Sequence, residues 1–215
     1  MTKKVASAVS NNNAYAVIHD DGTISAWGDT NTGGSSPSTT KDLGRYQTIF
    51  PASYAFAAIT DQGKVIAWGR SNSGGNASNI NTQLETDEKF RTIYSTSRAF
   101  AAVTTNRRVI SWGHPGYGGS MNIIASGSIG SSMDTIAGGL TMIDKMCGND
   151  VAFGAIDLSG NLYTWGNSNW GGNVSAKAVG LNIVECFPKQ RYYYYHYYYY
   201  YFIIIIIIII ALPRE

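Results

Sequence analysis

Four Trp-Gly pairs, Trp27-Gly28, Trp68-Gly69, Trp112-Gly113 and Trp165-Gly166, cut most of this chain into units of one design. An aromatic stands twelve residues before each Trp (Tyr15, Phe56, Phe100, Phe153), and a Gly-Gly pair begins six residues after it (Gly33, Gly74, Gly118, Gly171). In the last three units Ile49, Ile93 and Met146 extend the register seven residues upstream of the aromatic. Two fixed offsets kept four times define a repeat, and a repeat constrains the fold more tightly than any single motif. The Trp-to-Trp spacings of 41, 44 and 53 vary only between Gly-Gly and the next unit. Length changes collect where a surface connection can absorb them, and the longest such stretch runs from Ser120 to Lys145.

Each unit reads as strand, tight turn, strand. In the second, Tyr-Ala-Phe-Ala-Ala-Ile-Thr is followed by Asp-Gln-Gly and then Lys-Val-Ile-Ala-Trp-Gly. Gly22, Gly63 and Gly160 supply the positive φ that hairpin turns favour. The third unit has Arg107 at that place, and Asn106 before it tolerates the left-handed region, so a hairpin with a shifted turn type is expected there. Before the turn, small residues (Ala16, Ala57, Ala101, Gly154 and then Val17, Ala58, Ala102, Ala155) follow the aromatic. A strand with one wet face alternates apolar and polar; these do not, so both faces are expected to be buried. Small residues opposite large aromatics interdigitate when sheets stack, and radially stacked blades bury successive sheets in that way. The four Trp residues and their aromatics are therefore expected in the core, and Gly28, Gly69, Gly113 and Gly166 at sharp strand exits.

The stretch Phe-Ala-Ala-Ile-Thr-Asp-Gln-Gly-Lys-Val-Ile-Ala-Trp-Gly, residues 56–69, resembles the central signature of the regulator of chromosome condensation repeat. That family shares its superfamily with the type II β-lactamase inhibitor protein. The resemblance covers roughly residues 8 to 187 and implies a propeller, commonly of seven blades, that binds proteins. Two departures stand out: Gly-Gly replaces the family's Gly-Gln-Leu-Gly, and the shorter repeat implies three-stranded blades. The family's exchange activity on a small GTPase rests on loop residues with no match here. The expected fold class is thus all-β, about four β-propeller-like blades forming a partial or open propeller, with a low-complexity C-terminal tail. Four units leave open a fragment of a larger ring, an open arc, or part of an oligomer. The domain reading is an N-terminal extension over 1–7, four repeats over 8–187 and the tail over 188–215.

In the tail, Tyr192–Tyr195, His196, Tyr197–Tyr201 and Phe202 precede eight Ile, Ile203–Ile210. A TAT repeat reads Tyr in one frame and Ile in the next, so residues 192–210 read as a microsatellite translated across a frameshift or as an error in the gene model. The apolar run Phe202–Leu212 is about half of the ~20 residues a membrane helix needs, which argues against an anchor and for an aggregation-prone segment.

Composition narrows function further. The chain has 16 Lys+Arg against 14 Asp+Glu, for a formal charge of +2, with the basic residues scattered. Nucleic-acid binding needs concentrated positive charge and is not expected. Two cysteines, Cys147 and Cys186, are too few for a disulfide framework and too far apart for a CxxC site, and are expected as free thiols. The start Met-Thr-Lys-Lys lacks an apolar signal core, so the expected location is cytoplasmic, with the nucleus as alternative. Asn76-Ala-Ser78 and Asn173-Val-Ser175 match the glycosylation pattern but read as loop chemistry.

His19, His114 and His196 share no motif, and Asp20, Asp21, Asp61 and Asp157 fall at hairpin turns that explain them. No nucleophile elbow, zinc pattern or calcium loop occurs. The expectation is no enzyme, no cofactor, no metal and no small-molecule substrate, but a non-catalytic protein-interaction scaffold with an unidentified protein partner. It would be part of a larger regulatory or ubiquitin-ligase-like protein; the alternative is a guanine-nucleotide exchange factor for a small GTPase. The binding surface is expected on the post-Trp segments 29–32, 70–73, 114–117 and 167–170, which change in charge and size while the framework stays constant. Arg70, His114, Tyr117 and Trp170 are the candidate contacts, because Trp, Tyr and Arg are enriched at binding hot spots.

Overall fold

The computed structural model describes residues 3–37, 44–119, 124–125 and 142–172; the tail, the segment 173–187 and Cys186 lie outside the described residues. The described residues are all-β and hold thirteen strands: β1 (Val5–Ser10), β2 (Ala14–His19), β3 (Ile24–Gly28), β4 (Tyr46–Pro51), β5 (Ala55–Thr60), β6 (Val65–Gly69), β7 (Phe90–Ser95), β8 (Ala99–Thr104), β9 (Val109–Gly113), β10 (Ile124–Ala125), β11 (Ile143–Gly148), β12 (Ala152–Asp157) and β13 (Leu162–Gly166). They form four antiparallel meanders, β1-β2-β3, β4-β5-β6, β7-β8-β9 and β10-β13-β12-β11. The first three blades are three-stranded as expected, whereas the fourth gains β10 from the long connection, where Ile124 pairs with Thr164. The first blade begins at Val5, inside the segment read as an N-terminal extension.

The twelve-residue offset between aromatic and Trp is a register fact. Phe56 pairs across the hairpin with Trp68, Phe100 with Trp112 and Phe153 with Trp165. Cross-strand partners at that spacing stack their rings, with centroids 5.3, 5.4 and 5.3 Å apart, and such pairs add about 0.5–1.5 kcal/mol beyond area burial. The middle strands β5 and β8 are buried at every position, as their lack of alternation requires.

Blades pack face to face, large into small. Ala55, Ala57, Ile59 and Val65 of the second blade form one cluster with Ile93, Phe100, Ile110 and Trp112 of the third. Ala14, Ala16, Ile18 and Ile24 of the first meet Phe56, Ala58 and Trp68 of the second, and Ala99, Ala101, Val103 and Val109 of the third meet Met146, Phe153 and Trp165 of the fourth. Each interface is closed by an indole: Trp68, Trp112 and Trp165 Nε1 donate to the carbonyls of Gly33, Gly74 and Gly118 in the preceding blade, at 3.1, 3.0 and 3.1 Å. A Cβ on any of these glycines would come within 2.7 Å of the following blade's Phe ring, so the first glycine of each pair serves blade packing as well as its positive φ.

Three expectations are corrected. Trp27 and Tyr15 stack at 5.7 Å like their counterparts but are 49% and 55% exposed, because among the described residues no blade precedes the first to cover that face. In the third hairpin the positive φ falls on Arg107 itself (59°), not on Asn106. The turn type is not shifted: Arg107 N–H donates to Thr104 O at 3.0 Å just as Gly63 donates to Thr60 O. The neighbouring blade holds the strained residue, for Arg107 O accepts from Ile143 N–H and its guanidinium reaches Asp144 at 3.2 Å. Cys147 is disulfide-bonded rather than a free thiol; separation along the chain does not decide whether a cysteine pairs.

Candidate functional site

The post-Trp segments sit where the sequence reading puts them. Each folds into one 3-10 turn, Thr30–Thr32, Ser71–Ser73, Pro115–Tyr117 and Ser168–Trp170, with the following glycine left-handed at φ between 90° and 104°. Asp29, His114 and Asn167 cap their turns by accepting the N–H two residues on, while Arg70 makes no such bond and keeps its side chain free of the cap.

A second variable position lies beside each cap. The residue after Trp-Gly donates its N–H to the carbonyl two residues before the aromatic: Asp29 to Asn13, Arg70 to Tyr54, His114 to Arg98 and Asn167 to Val151, at 2.9–3.0 Å. The same backbone bond therefore recurs in all four blades while the side-chain pair changes from Asn/Asp to Tyr/Arg, Arg/His and Val/Asn. One residue earlier, a backbone ladder ties these loops across blades, with Asn12 N–H donating to Ser53 O, Ser53 N–H to Ser97 O and Ser97 N–H to Asp150 O, at 3.3, 3.1 and 2.8 Å. The turns are held from below as well: Asn11 Nδ2 donates to Thr32 O, Thr96 Oγ1 to Tyr117 O and Asn149 Nδ2 to Trp170 O. The variable side chains thus stand in one row on a fixed rim.

Across the second and third blades the row is a ladder of cations and rings. The Arg70 guanidinium lies over the Tyr54 ring at 4.6 Å. The Arg98 guanidinium lies between Tyr54 and Tyr117, 5.5 and 5.2 Å from their centroids. The His114 ring meets Tyr117 edge-on at 5.1 Å. Guanidinium over a phenol face is held by the ring quadrupole. Among the described residues neither Arg70 nor Arg98 enters an ion pair; Arg107 and Arg108 do, at the opposite, hairpin end of the blades.

Of the four sequence candidates, Arg70, His114 and Tyr117 are brought together in this ladder. Trp170, 43% exposed, stands on the fourth blade beyond it. Sequence reasoning missed Tyr54 and Arg98, which bind the ladder into one unit. Their signal was present: the position two residues before each aromatic reads Asn13, Tyr54, Arg98 and Val151, a change of character next to an unchanging framework. Among the described residues no group of His, Cys, Asp or Glu is placed to hold a metal ion, and no helix is long and apolar enough to cross a membrane.

These blades, stacked face to face and stitched at both ends, define a β-propeller repeat protein. The repeat pattern that resembles the regulator of chromosome condensation repeat thus folds as propeller blades. No family model matches the sequence, and no curated protein matches it. Among solved structures, human WBSCR16 superposes with a TM-score of 0.52 at 11% identity, over 76% of this chain and 47% of that one. Prp20p of Saccharomyces cerevisiae, a protein with binding properties toward Gsp1p and histones, gives 0.48 at 18% identity over 76% and 44%. The ectodomain of the Physcomitrella patens receptor kinase CR4 gives 0.48 at 15% over 78% and 40%. The chain spans less than half the length of each, and the likeness is one of fold.

Proposed function

We propose that this chain is a non-catalytic interaction module that binds a protein partner through the rim carrying Tyr54, Arg70, Arg98, His114 and Tyr117. The observation that carries the reading is the contrast between an invariant backbone and a changing side-chain row on it, which is how a repeat scaffold diversifies recognition without disturbing its core. Tyr and Arg supply large contact area and directed hydrogen bonds, as interface anchors do, and rigid loops reduce the ordering cost of binding. Catalysis would call for a nucleophile, base or metal among these residues, and His114 Nδ1 is already engaged as the acceptor of Gly116 N–H at 3.1 Å.

The test is capture of a protein partner by the chain, followed by the same capture with Tyr117→Ala, Arg70→Ala and Trp170→Ala. Loss of capture with the first two at an unchanged melting temperature supports the rim; retention by all three removes it. A nucleotide-release assay on small GTPases separates this reading from an exchange factor. A cytoplasmic or nuclear location, the expectation from the sequence, would place the disulfide at Cys147 in a reducing pool, where such bonds rarely persist; thiol titration of the protein isolated from its cell, without reductant, tests whether that bond is present there.

A further inference from the structure

We propose that the Tyr54–Arg70–Arg98–Tyr117 ladder is a receptor for an acidic peptide, a segment of the partner whose Asp or Glu carboxylates pair with the two guanidiniums while its backbone lies along the tyrosine faces. The inference rests on the interaction-module reading and gives its partner a chemistry.

The two arginines share one phenol ring: Arg70 stands 4.6 Å and Arg98 5.5 Å from the Tyr54 centroid. Two like charges on one ring repel each other, and at the hairpin end of the third blade two other arginines are neutralised by acids. Arg108 pairs with Glu85 and Glu88, and Arg107 with Asp144. Arg70 and Arg98 enter no ion pair among the described residues, and Asp29 on the first blade faces its own turn, its Oδ1 accepting from Asn31 N–H. A pair of cations kept without counter-charge is completed by an anion from outside.

A guanidinium presents a planar fork of N–H donors, the geometry that grips a carboxylate in two parallel hydrogen bonds. The backbones beneath are rigid, because Arg70 N–H is bonded to Tyr54 O, and the Ser53–Ser97 bond joins the two blades next to them. Two charges in a row, flanked by Tyr54, Tyr117 and His114, match a short extended segment better than a nucleic acid, whose phosphates demand many cations spread along a face. The chain's charge of +2 and its scattered lysines offer no such face.

The probe is a fluorescent ten-residue peptide with Glu at alternate positions, measured by anisotropy against the full chain, beside its Gln counterpart, a phosphoserine counterpart and a short DNA duplex. The expected result is that the Glu peptide binds at least ten-fold tighter than the Gln peptide and than the duplex. Arg98→Ala and Arg70→Ala each weaken it ten-fold or more. Arg98→Lys, which keeps the charge but not the fork, weakens it nearly as much, whereas Lys64→Ala, on the opposite hairpin end, changes nothing. Melting curves confirm that each variant folds; if Arg98→Ala does not, Arg70→Ala and Arg98→Lys carry the test. Equal binding of Glu and Gln peptides, preference for the duplex, or indifference to both arginines overturns the proposal, and tighter binding of the phosphoserine peptide replaces the carboxylate with a phosphate. A partner captured through the rim yet not displaced by the Glu peptide defeats the acidic-peptide inference and leaves the interaction module standing.

Discussion

The indole N–H of Trp112 in the third blade donates to the carbonyl of Gly74 in the second, 3.0 Å away, and the same bond recurs from Trp68 to Gly33 and from Trp165 to Gly118. It joins the two features that define the repeat, the Trp of one unit and the Gly-Gly of the unit before. The offset of six residues between them within a unit is therefore set by a contact between units.

Trp112→Phe keeps the ring but leaves the buried Gly74 carbonyl without its donor, and is expected to cost about 1–3 kcal/mol. Trp27→Phe serves as the control: Trp27 is 49% exposed and its indole has no acceptor among the described residues, so the change should stay within about 0.5 kcal/mol. Urea midpoints of the two variants decide it, and equal losses would mean that the indole bond contributes nothing.

Truncation separates the same pair further. Trp68→Ala should cost about 3–5 kcal/mol, as core Trp deletions do, while Trp27→Ala should cost clearly less. Iodide quenching in Trp→Phe backgrounds should find Trp27 accessible and Trp68 protected.

Gly74→Ala places a methyl 2.6 Å from the Phe100 ring on a backbone at φ 92°. Strain at positive φ and overpacking together should destabilise by roughly 2–4 kcal/mol. At Gly116 a methyl would meet only the His114 ring at 3.4 Å, and Gly116→Ala should leave the thermal midpoint unchanged.

At the other end of the third blade, the Glu88 side chain is fully buried and accepts from Arg108 Nη2 at 2.9 Å and from Thr104 Oγ1. Burial works to raise this carboxyl, but the Arg108, Glu85 and Thr104 hydrogen bonds outweigh it and hold it below the ordinary glutamate range. A carboxyl depressed in the folded state stabilises above the unfolded value of about 4.3 and loses that contribution as pH falls through the folded value. Urea midpoints measured from pH 7 to pH 3 should therefore fall in acid, and Glu88→Gln should flatten the fall while costing about 1–3 kcal/mol at pH 7 by removing one of the two carboxylates paired with Arg108. An unchanged acid limb in the variant would assign the loss to other groups.

Arg107→Gly removes a left-handed arginine at φ 59° together with an exposed ion pair to Asp144 worth about 0–1 kcal/mol. Arg107→Val removes the ion pair and keeps the strain. The Gly variant should be more stable than the Val variant by at least about 1–2 kcal/mol, read from denaturant midpoints.

What the sequence determined by itself is the blade. Aromatic, small residues, turn, Trp and Gly-Gly follow one another at fixed offsets because cross-strand register and ring stacking are local, and local rules are written along the chain: Phe56 and Trp68 had to face each other once the hairpin closed. It also marked the variable post-Trp turns, three of whose four candidate residues the structure gathers. Only the tertiary structure decided what depends on which blade lies next to which. It exposed Trp27 and buried Trp68, although the two share every local signal, since burial is supplied by a neighbour far away in sequence. It put the positive φ on Arg107 because the next blade's Ile143 and Asp144 hold it there. It bonded Cys147, and it brought Arg98 between Tyr54 and Tyr117, residues 44 and 19 positions away along the chain, because a ladder across blades forms in the direction of stacking, which no offset within a repeat records.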